Sequence, residues 1–194
     1  MNPDRVFAIV LAAGSASRFG DTKQLAPVDG EALVSRAVRL ASAVLGDRVV
    51  LVIGNDRHRV ASACAPFGGF IAVNPDYRSG ISTSIRAGIE AVAPVADAAM
   101  LLLADQPLVG MDHLQTIIAA WRRRPAAIIA SAYAGTVGPP VIFPRELFPA
   151  LVELSGDRGA KRVIDSHPER VELVECEAAA VDIDRPGDIE SLRK

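Results

Sequence analysis

Apolar runs of strand length alternate along the chain with segments whose apolar residues recur at helical spacing. Val6–Ala12 and Ala98–Leu103 contain only apolar residues, which is typical of strands buried on both faces of a sheet. In Glu31–Leu45 the apolar residues recur every three or four positions and a glycine follows, which indicates an amphipathic helix. The same patterns predict further strands over Val49–Ile53, Phe70–Val73 and Ala126–Ser131, and further helices over Arg57–Ala65, Ile81–Val92 and His113–Arg123.

This alternation predicts an α/β fold, in which a parallel sheet carries helices on both faces. The pattern changes after Tyr133, where the segment G-P-P-V-I-F (residues 138–143) precedes a helix that Pro144 can open at its first turn. Two short strands and two helices complete the prediction, the strands over Val171–Val174 and Val181–Ile183 and the helices after residue 161 and after Pro186. We therefore expect one antiparallel strand in a mostly parallel sheet, within a single domain spanning residues 1–194.

Composition narrows the classes of function. The chain has 194 residues, of which 50% are hydrophobic, and a net charge of −2, so it offers no basic face for nucleic acid. No apolar run reaches the ~20 residues that a membrane-spanning helix needs. The two cysteines, Cys64 and Cys176, form no C-x-x-C pair, which favours reduced, buried thiols. We expect a cytoplasmic protein that binds neither nucleic acid nor membrane.

The stretch L-A-A-G-S-A-S-R-F-G-D-T-K, residues 11–23, follows the first predicted strand. In a parallel sheet, ligands bind beyond the carboxyl ends of the strands. Gly14 and Gly20 allow close backbone approach, and Arg18 and Lys23 supply a planar fork of donors and a compact charge. Together they would suit a nucleoside triphosphate. The alternative is an ordinary loop with solvated cations, and the spacing matches neither the P-loop nor the dinucleotide fingerprint.

Carboxylates follow two other predicted strands. Asp105 closes an apolar strand, and Asp182 and Asp184 lie on one face of a short strand by alternation. Mg²⁺ is usually held by one or two carboxylates together with substrate phosphates, so Asp105 and Asp184 could share one ion. The alternatives are a turn-forming role for Asp105 before proline and a helix cap at Asp184.

Two polar loops are further candidates for ligand binding. Ser79, Gly80 and Ser84 lie at a strand-to-helix junction, where backbone N–H groups bind anions, although Ser79 could simply cap the helix. The segment S-G-D-R-G-A-K, residues 155–161, could hold a second, anionic substrate, or it could be a surface turn between helices.

Together, the opening stretch, A-D-Q-P at 104–107, G-D-R-G-A-K at 156–161 and D-I-D-R-P at 182–186 resemble the molybdenum-cofactor nucleotidyltransferases. The resemblance extends from about Phe7 to Leu192. It implies a Rossmann-like three-layer α/β/α sandwich and the Mg²⁺-dependent transfer of a nucleoside monophosphate.

The resemblance also assigns roles to individual residues. The catalytic residues would be Arg18, Lys23 and Asp105, and the metal ligands would be Asp105 and Asp184. The nucleotide would contact Leu11, Ala12, Ala13, Gly14, Arg18, Lys23, Asn74, Ser79, Gly80 and Ser84. The acceptor would contact Gly138, Pro140, Asp157, Arg158 and Lys161.

The A-A-G form of the opening loop is similar to that of cytidylyl-transferring members. Guanylyl-transferring members usually have Gly where Ala13 stands, and a methyl group there would crowd a purine, although one methyl group discriminates by only ~1–3 kcal/mol. Many relatives read G-H-P where this chain has Gly138, Pro139 and Pro140, so an imidazole is missing from the acceptor region.

The resemblance therefore implies that CTP and molybdopterin, a phosphorylated pterin, react to give the cytosine dinucleotide cofactor and pyrophosphate. A molybdoenzyme of the xanthine dehydrogenase type would be the protein partner. The alternatives are guanylyl transfer to the same acceptor, CMP transfer to a sugar or alditol phosphate, and a non-catalytic carrier of the finished cofactor. The missing glycine fingerprint argues against a nicotinamide oxidoreductase.

Overall fold

The computed structural model describes residues 5–14 and 19–192. The strands are β1 (Val6–Ala12), β2 (Pro27–Val28), β3 (Glu31–Ala32), β4 (Val49–Ile53), β5 (Phe70–Val73), β6 (Ala98–Leu103), β7 (Ile128–Tyr133), β8 (Thr136–Pro144) and β9 (Val171–Glu175). The α-helices are α1 (Leu33–Leu45), α2 (Arg57–Cys64), α3 (Ile81–Val92), α4 (Met111–Arg123), α5 (Phe148–Val152), α6 (Lys161–Asp165) and α7 (Pro186–Ser191). Within these residues, no helix combines the length and apolar character needed to cross a lipid bilayer.

Seven strands form one mixed sheet in the order β5-β4-β1-β6-β8-β7-β9. Strand β8 runs antiparallel to both of its neighbours, and every other pairing in this sheet is parallel. The prediction of a mostly parallel sheet with one antiparallel strand is therefore confirmed. The reversal at β8 follows from the short connection Ala134–Gly135, at which both residues have positive φ angles of 46° and 72°, as tight hairpin turns require.

Helices cover both faces of the sheet and give the predicted three-layer α/β/α arrangement. On one face, α1, α2 and α4 pack into a cluster that includes Val10, Val38 and Trp121. On the other face, α3, α5 and α6 pack into a cluster that includes Ile9, Ile85 and Leu151. Because side chains alternate along a strand, consecutive residues of β1 enter opposite layers.

The predicted helix Glu31–Leu45 begins two residues later than expected. Glu31 and Ala32 form β3, which pairs antiparallel with β2 in a separate two-stranded sheet. Asp29 and Gly30 connect the two strands with φ angles of 53° and 83°. Two consecutive positive φ angles fit a tight hairpin turn, and such a turn does not appear in helical periodicity.

Two other expectations about secondary structure were wrong. Val181–Ile183 forms no strand; the Ile183 N–H donates to the Asp105 carbonyl (2.9 Å), so this segment crosses the carboxyl ends of the strands instead of joining the sheet. Pro144 ends β8 and opens no α-helix, because a 3₁₀ turn over Arg145–Leu147 separates it from α5. The strand predicted over Ala126–Ser131 is displaced by two residues and forms β7.

Candidate active site

A cleft of about 340 Å³ opens above the carboxyl ends of β1 and β6. The loops after these strands form one wall, and the turn before α3 with the start of that helix forms the other. Eight of the residues predicted from sequence line this cleft: Leu11, Ala13, Gly14, Lys23, Gly80, Ser84, Asp105 and Asp157. Arg18 lies outside the described residues. The structure therefore brings the main predicted segments of the site together around one cavity.

Strand alternation decides which residues of the opening loop reach the cleft. Leu11 and Ala13 lie on the α3 face of the sheet and line the cavity. Ala12 lies on the opposite face, in the cluster with α1, and is 2% exposed. The predicted contact of Ala12 with nucleotide can therefore involve its backbone, while its methyl group packs in the core.

Lys23 connects the two predicted metal-binding carboxylates. It begins a short 3₁₀ turn over Lys23–Leu25, and its Nζ donates to Asp105 Oδ2 at 2.7 Å and to Asp184 Oδ1 at 3.1 Å. Burial lowers the pKa of Lys23, but the attraction of Asp105 and the hydrogen bonds to both carboxylates raise it, and the net pKa lies above the ordinary value. Lys23 is therefore charged at neutral pH.

The alternative role of Asp184 as a helix cap is taken by another residue. Asp188 Oδ2 accepts hydrogen bonds from the backbone N–H groups of Asp184 (2.8 Å) and Arg185 (2.7 Å) at the start of α7. The Asp184 side chain is thus left to contact Lys23. Asp182 faces the same acidic cluster: burial and the charges of Asp105 and Asp184 raise the pKa of Asp182 to about 6.

Asp105 also carries an oxygen that suits a cation. Its Oδ1 atom is buried and has no hydrogen-bond partner among the described residues, although a buried carboxylate oxygen normally has one. A hard cation prefers such oxygen ligands. The described residues contain no cluster of three or more His, Cys, Asp or Glu side chains that could hold a metal, so any ion here would depend on Asp105, Asp184 and substrate oxygens.

The opposite wall consists of glycine and small polar residues. Gly80 has a φ angle of +102°, and an added Cβ there would contact the backbone carbonyl of Gly156. Gly80, and not Ser79, is the N-cap residue of α3, whereas Ser79 is an exposed residue of the preceding turn. Asn74 is 2% exposed, and its Nδ2 donates to the hydroxyl groups of Thr83 (2.9 Å) and Ser84 (3.0 Å). Asn74 therefore orients Ser84 from behind the cleft.

Seven residues that line the cleft were missed by sequence reasoning, and Gln24, Tyr77 and Arg78 are the polar ones among them. Gln24 is 5% exposed, and its Nε2 donates to the Gly14 carbonyl (2.7 Å), which holds the opening loop. Tyr77 packs on Gly54 so closely that a Cβ there would overlap the ring, and the Arg78 guanidinium lies 5.5 Å from the centre of that ring. In the sequence, the only signals of these contacts were Gly54 and the segment K-Q-L at residues 23–25. Neither identifies a ligand contact unless the fold is known.

The predicted acceptor residues do not lie together. Asp157 lines the cleft, whereas its neighbour Arg158 lines a separate cavity of about 260 Å³ with Arg162 and His167. Lys161 Nζ lies 3.4 Å from Thr136 Oγ1.

The two acceptor candidates on β8 are both buried. Gly138 lies against the Tyr133 hydroxyl, and the Pro140 carbonyl accepts a hydrogen bond from Ser131 Oγ at 2.6 Å. Of the five acceptor candidates, Asp157 is therefore the one that the structure places in the cleft.

Residues 8–171 match the MobA-like NTP transferase domain. The chain belongs to this family. Among solved structures, Rv0371c from Mycobacterium tuberculosis H37Rv is 29% identical, covers 97% of each chain and superposes with a TM-score of 0.84; a complex of the same protein with manganese has a TM-score of 0.80.

Curated relatives of this MobA-like chain carry different names. The purine catabolism protein PucB of Bacillus subtilis is 29% identical and covers 86% of this chain and 83% of its own. The nicotine blue oxidoreductase of Paenarthrobacter nicotinovorans is 30% identical, with 92% of each chain covered. The molybdenum cofactor cytidylyltransferase of Escherichia coli is 25% identical, with 93% and 91% covered.

The MobA-like chain is thus a nucleotidyltransferase by family, and its cleft has the chemistry for that class. A half-buried lysine contacts a carboxylate that has an unpartnered buried oxygen, and both lie beyond the carboxyl ends of parallel strands, where ligands bind in such sheets. The opposite wall of the cleft carries the small residues Gly80 and Ser84. The family relationship leaves open which nucleotide and which acceptor this member uses.

Proposed function

We propose that this MobA-like nucleotidyltransferase transfers CMP from CTP to the terminal phosphate of molybdopterin and releases pyrophosphate. The observation that carries the proposal is the contact of Lys23 with Asp105 at 2.7 Å on the wall of the cleft, beside Ala13 of the opening loop. The Escherichia coli relative named molybdenum cofactor cytidylyltransferase, which covers 93% of this chain, supports the choice of substrates.

In the proposed reaction, an oxygen of the acceptor phosphate forms a bond to the α-phosphorus of CTP. The bond from that phosphorus to the oxygen bridging to the β-phosphate breaks, and pyrophosphate leaves with the electron pair. The second pKa of a phosphate monoester is ~6, so the attacking oxygen is already anionic at neutral pH. The chain therefore needs no general base, and its task is to bring two anions together.

Asp105, with Asp184 in support, would hold Mg²⁺, which when bound supplies positive charge next to the triphosphate. The unpartnered Oδ1 of Asp105 fits this role, and the manganese complex of Rv0371c supports a divalent ion in a relative. Lys23 now bonds to both carboxylates. With the carboxylates engaged, its ammonium group would be free to donate to a phosphate oxygen of CTP.

Ala13 is the residue on which the choice of CTP depends. It is 2% exposed and lines the cleft on the α3 face of β1, so its methyl group would limit the space for the base. Discrimination by one methyl group amounts to ~1–3 kcal/mol. The proposed product would then be delivered to a molybdoenzyme of the xanthine dehydrogenase type.

The test is pyrophosphate release by the purified protein with Mg²⁺, for CTP and GTP in turn, each with molybdopterin and with a panel of sugar and alditol phosphates. We expect turnover with CTP and molybdopterin to exceed every other pair. Turnover with GTP but not with CTP would mean that GTP is the nucleotide substrate. Turnover with a sugar phosphate but not with molybdopterin would mean that the acceptor is a sugar phosphate.

Two other outcomes would end the proposal. Tight binding of the finished cofactor without turnover of any nucleotide would indicate a carrier. Oxidoreductase activity on nicotine blue without pyrophosphate release would indicate an activity of the kind for which one relative is named.

A further inference from the structure

Strand β5 forms one edge of the large sheet, with its outer backbone groups unpaired. The Asn74 N–H donates to the Ile53 carbonyl of β4 at 2.8 Å. Backbone groups of successive residues point to opposite sides of a strand, so Phe70 and Ala72 also face β4, while Ile71 and Val73 face outward. No backbone hydrogen bond from another described segment reaches these outward groups.

The same edge is apolar and carries no charge. The exposed fractions of Phe70, Ile71 and Val73 are 62%, 53% and 48%. The opposite edge of the sheet, β9, is protected by Glu172 and Glu175, and Glu172 Oε2 pairs with Arg124 at 3.1 Å. Proteins usually protect free edges with charges, prolines or bulges, and β5 has none of these.

We propose that β5 pairs antiparallel with β5 of a second copy of this chain, across a two-fold axis at Ala72. In this register Ile71 lies opposite the second copy's Val73, and each of these pairs exchanges both N–H···O bonds. Every outward backbone group of the strand is then satisfied, and the seven strands of each sheet continue into those of the other.

The neighbouring registers that keep the same side-chain alternation are disfavoured. A shift by two residues in one direction would place Ile71 opposite Pro75, which has no N–H to donate. A shift in the other direction would place Val73 opposite Gly69, whose φ of +94° takes its backbone out of the extended conformation. The strand ends therefore select one register.

Side-chain chemistry also favours a second copy as the occupant. Ile71 and Val73 lie on the same face as Leu51 and Ile53, their partners on β4, so the paired edge would extend the core cluster that contains those two residues. No like charges oppose each other in a strand without charge. Pairing with the acidic β9 of another copy would instead form an open chain of molecules.

Symmetric cross-linking tests the register. In the proposed dimer Ala72 lies opposite its own copy as a non-hydrogen-bonded pair, with Cα atoms about 4.5 Å apart, within the range that a disulfide spans. We expect Ala72→Cys to give a covalent dimer under mild oxidation. Val95→Cys, an exposed position (45%) away from this strand, is the control, and the native Cys64 and Cys176 are buried.

Sedimentation over a range of protein concentrations tests the surface itself. We expect wild type to form a reversible dimer, and Ile71→Lys to weaken it by about tenfold or more, because two ammonium groups would be desolvated in a small apolar patch. Leu173→Lys on β9, an equally exposed edge position (52%), should leave it intact. Nucleotide turnover and melting temperature, measured on the same samples, report whether each variant is folded.

A monomeric wild type at every concentration would overturn the proposal. So would a dimer that only Leu173→Lys weakens, or an Ala72→Cys protein that oxidises no faster than the control. These outcomes do not depend on which nucleotide or acceptor the cleft binds.

Discussion

The two walls of the cleft differ in charge and in backbone conformation. On the wall after β1 and β6, Lys23 contacts both Asp105 and Asp184. On the α3 wall, Gly80 and Ser84 are held by backbone contact with Gly156 and by Asn74. We infer that the charged residues of the first wall act on the reacting phosphates, and that Ala13 together with the small-residue wall sets the fit of the base and sugar.

This division predicts that changes to the charged wall reduce kcat, whereas changes to the small-residue wall raise KM or alter nucleotide choice. The distinction follows from whether an interaction strengthens in the transition state or is already complete in the bound substrate. Four substitutions in the cleft test this distinction, and a fifth, at Asp182, tests the electrostatics beside the charged residues.

The largest effect is expected for Asp105→Asn, which keeps the size of the side chain and removes its charge. We expect kcat for pyrophosphate release to fall by about a hundredfold to a thousandfold, the range for loss of one preorganised charge-stabilising group. Asp112→Asn, at an exposed acid in the first turn of α4, is the control. Near-normal turnover by Asp105→Asn would contradict the assignment of the charged wall.

Lys23→Met should reduce kcat by about a hundredfold, since it removes one positive charge near the leaving group. It should also have an effect of opposite sign: Mn²⁺ alone should bind more tightly, because the ammonium group no longer competes for Asp105 and Asp184. Calorimetry with Mn²⁺ in the absence of nucleotide measures this. If Mn²⁺ binding weakens together with turnover, the proposal that Lys23 and the ion compete for the two carboxylates is wrong.

Gly80→Ala should raise the KM for nucleotide by about tenfold and lower stability by about 1–3 kcal/mol. Both the positive φ of Gly80 and the overlap of an added Cβ with the Gly156 carbonyl disfavour alanine at this position. Gly68→Ala is a matched control, because Gly68 (φ +71°, ψ −163°) and Gly80 (φ +102°, ψ 170°) lie in the same glycine-only backbone region, but Gly68 has no atom within 4 Å of an added Cβ. The difference in unfolding free energy between the two variants isolates the cost of the contact.

Ala13→Gly should leave kcat with CTP nearly unchanged and reduce the preference for CTP over GTP by about tenfold, within the ~1–3 kcal/mol that one methyl group can provide. Competition between the two nucleotides in a single reaction measures this ratio directly. An unchanged ratio would mean that other residues select the base.

The smallest effect concerns Asp182, whose pKa of about 6 lies above the ordinary 3.8. Between about pH 4 and pH 6 the folded chain keeps a proton that the unfolded chain releases, so stability falls as pH rises through this window. Asp182→Asn should therefore stabilise the protein above pH 6 and have no effect near pH 4. Because the side chain is partly exposed, we expect a gain below about 1 kcal/mol, measured by urea unfolding with EDTA present.

Continuous apolar runs explain why much of the sheet could be predicted from sequence. Strands β1, β4, β5 and β6 have the predicted bounds, because each is a continuous run of apolar residues, as is typical of parallel strands. The alternation over Val181–Ile183 was misleading because periodicity does not reveal whether a neighbouring strand is available.

Lys23 and Asp105 could be predicted to lie together because they follow β1 and β6, and the carboxyl ends of parallel strands meet at one edge of a sheet. Asp184 follows no strand, and its segment is held at this edge by the hydrogen bond from the Ile183 N–H to the Asp105 carbonyl. The rest depended on tertiary contacts. Tyr77 and Arg78 reach the cleft because their turn packs on Gly54. Asp157 and Arg158 are adjacent in sequence but line different cavities, and no sequence pattern separates them.

The bond between Lys23 and Asp184 joins residues 161 positions apart, and Ile183 is fully buried beside Leu33 in a small cluster of its own. A nascent chain can complete β1, β4, β5 and β6 on the ribosome and still lack one carboxylate of the charged wall. During synthesis the charged wall would therefore stay incomplete until the segment after β9 has emerged and folded back onto the first loop.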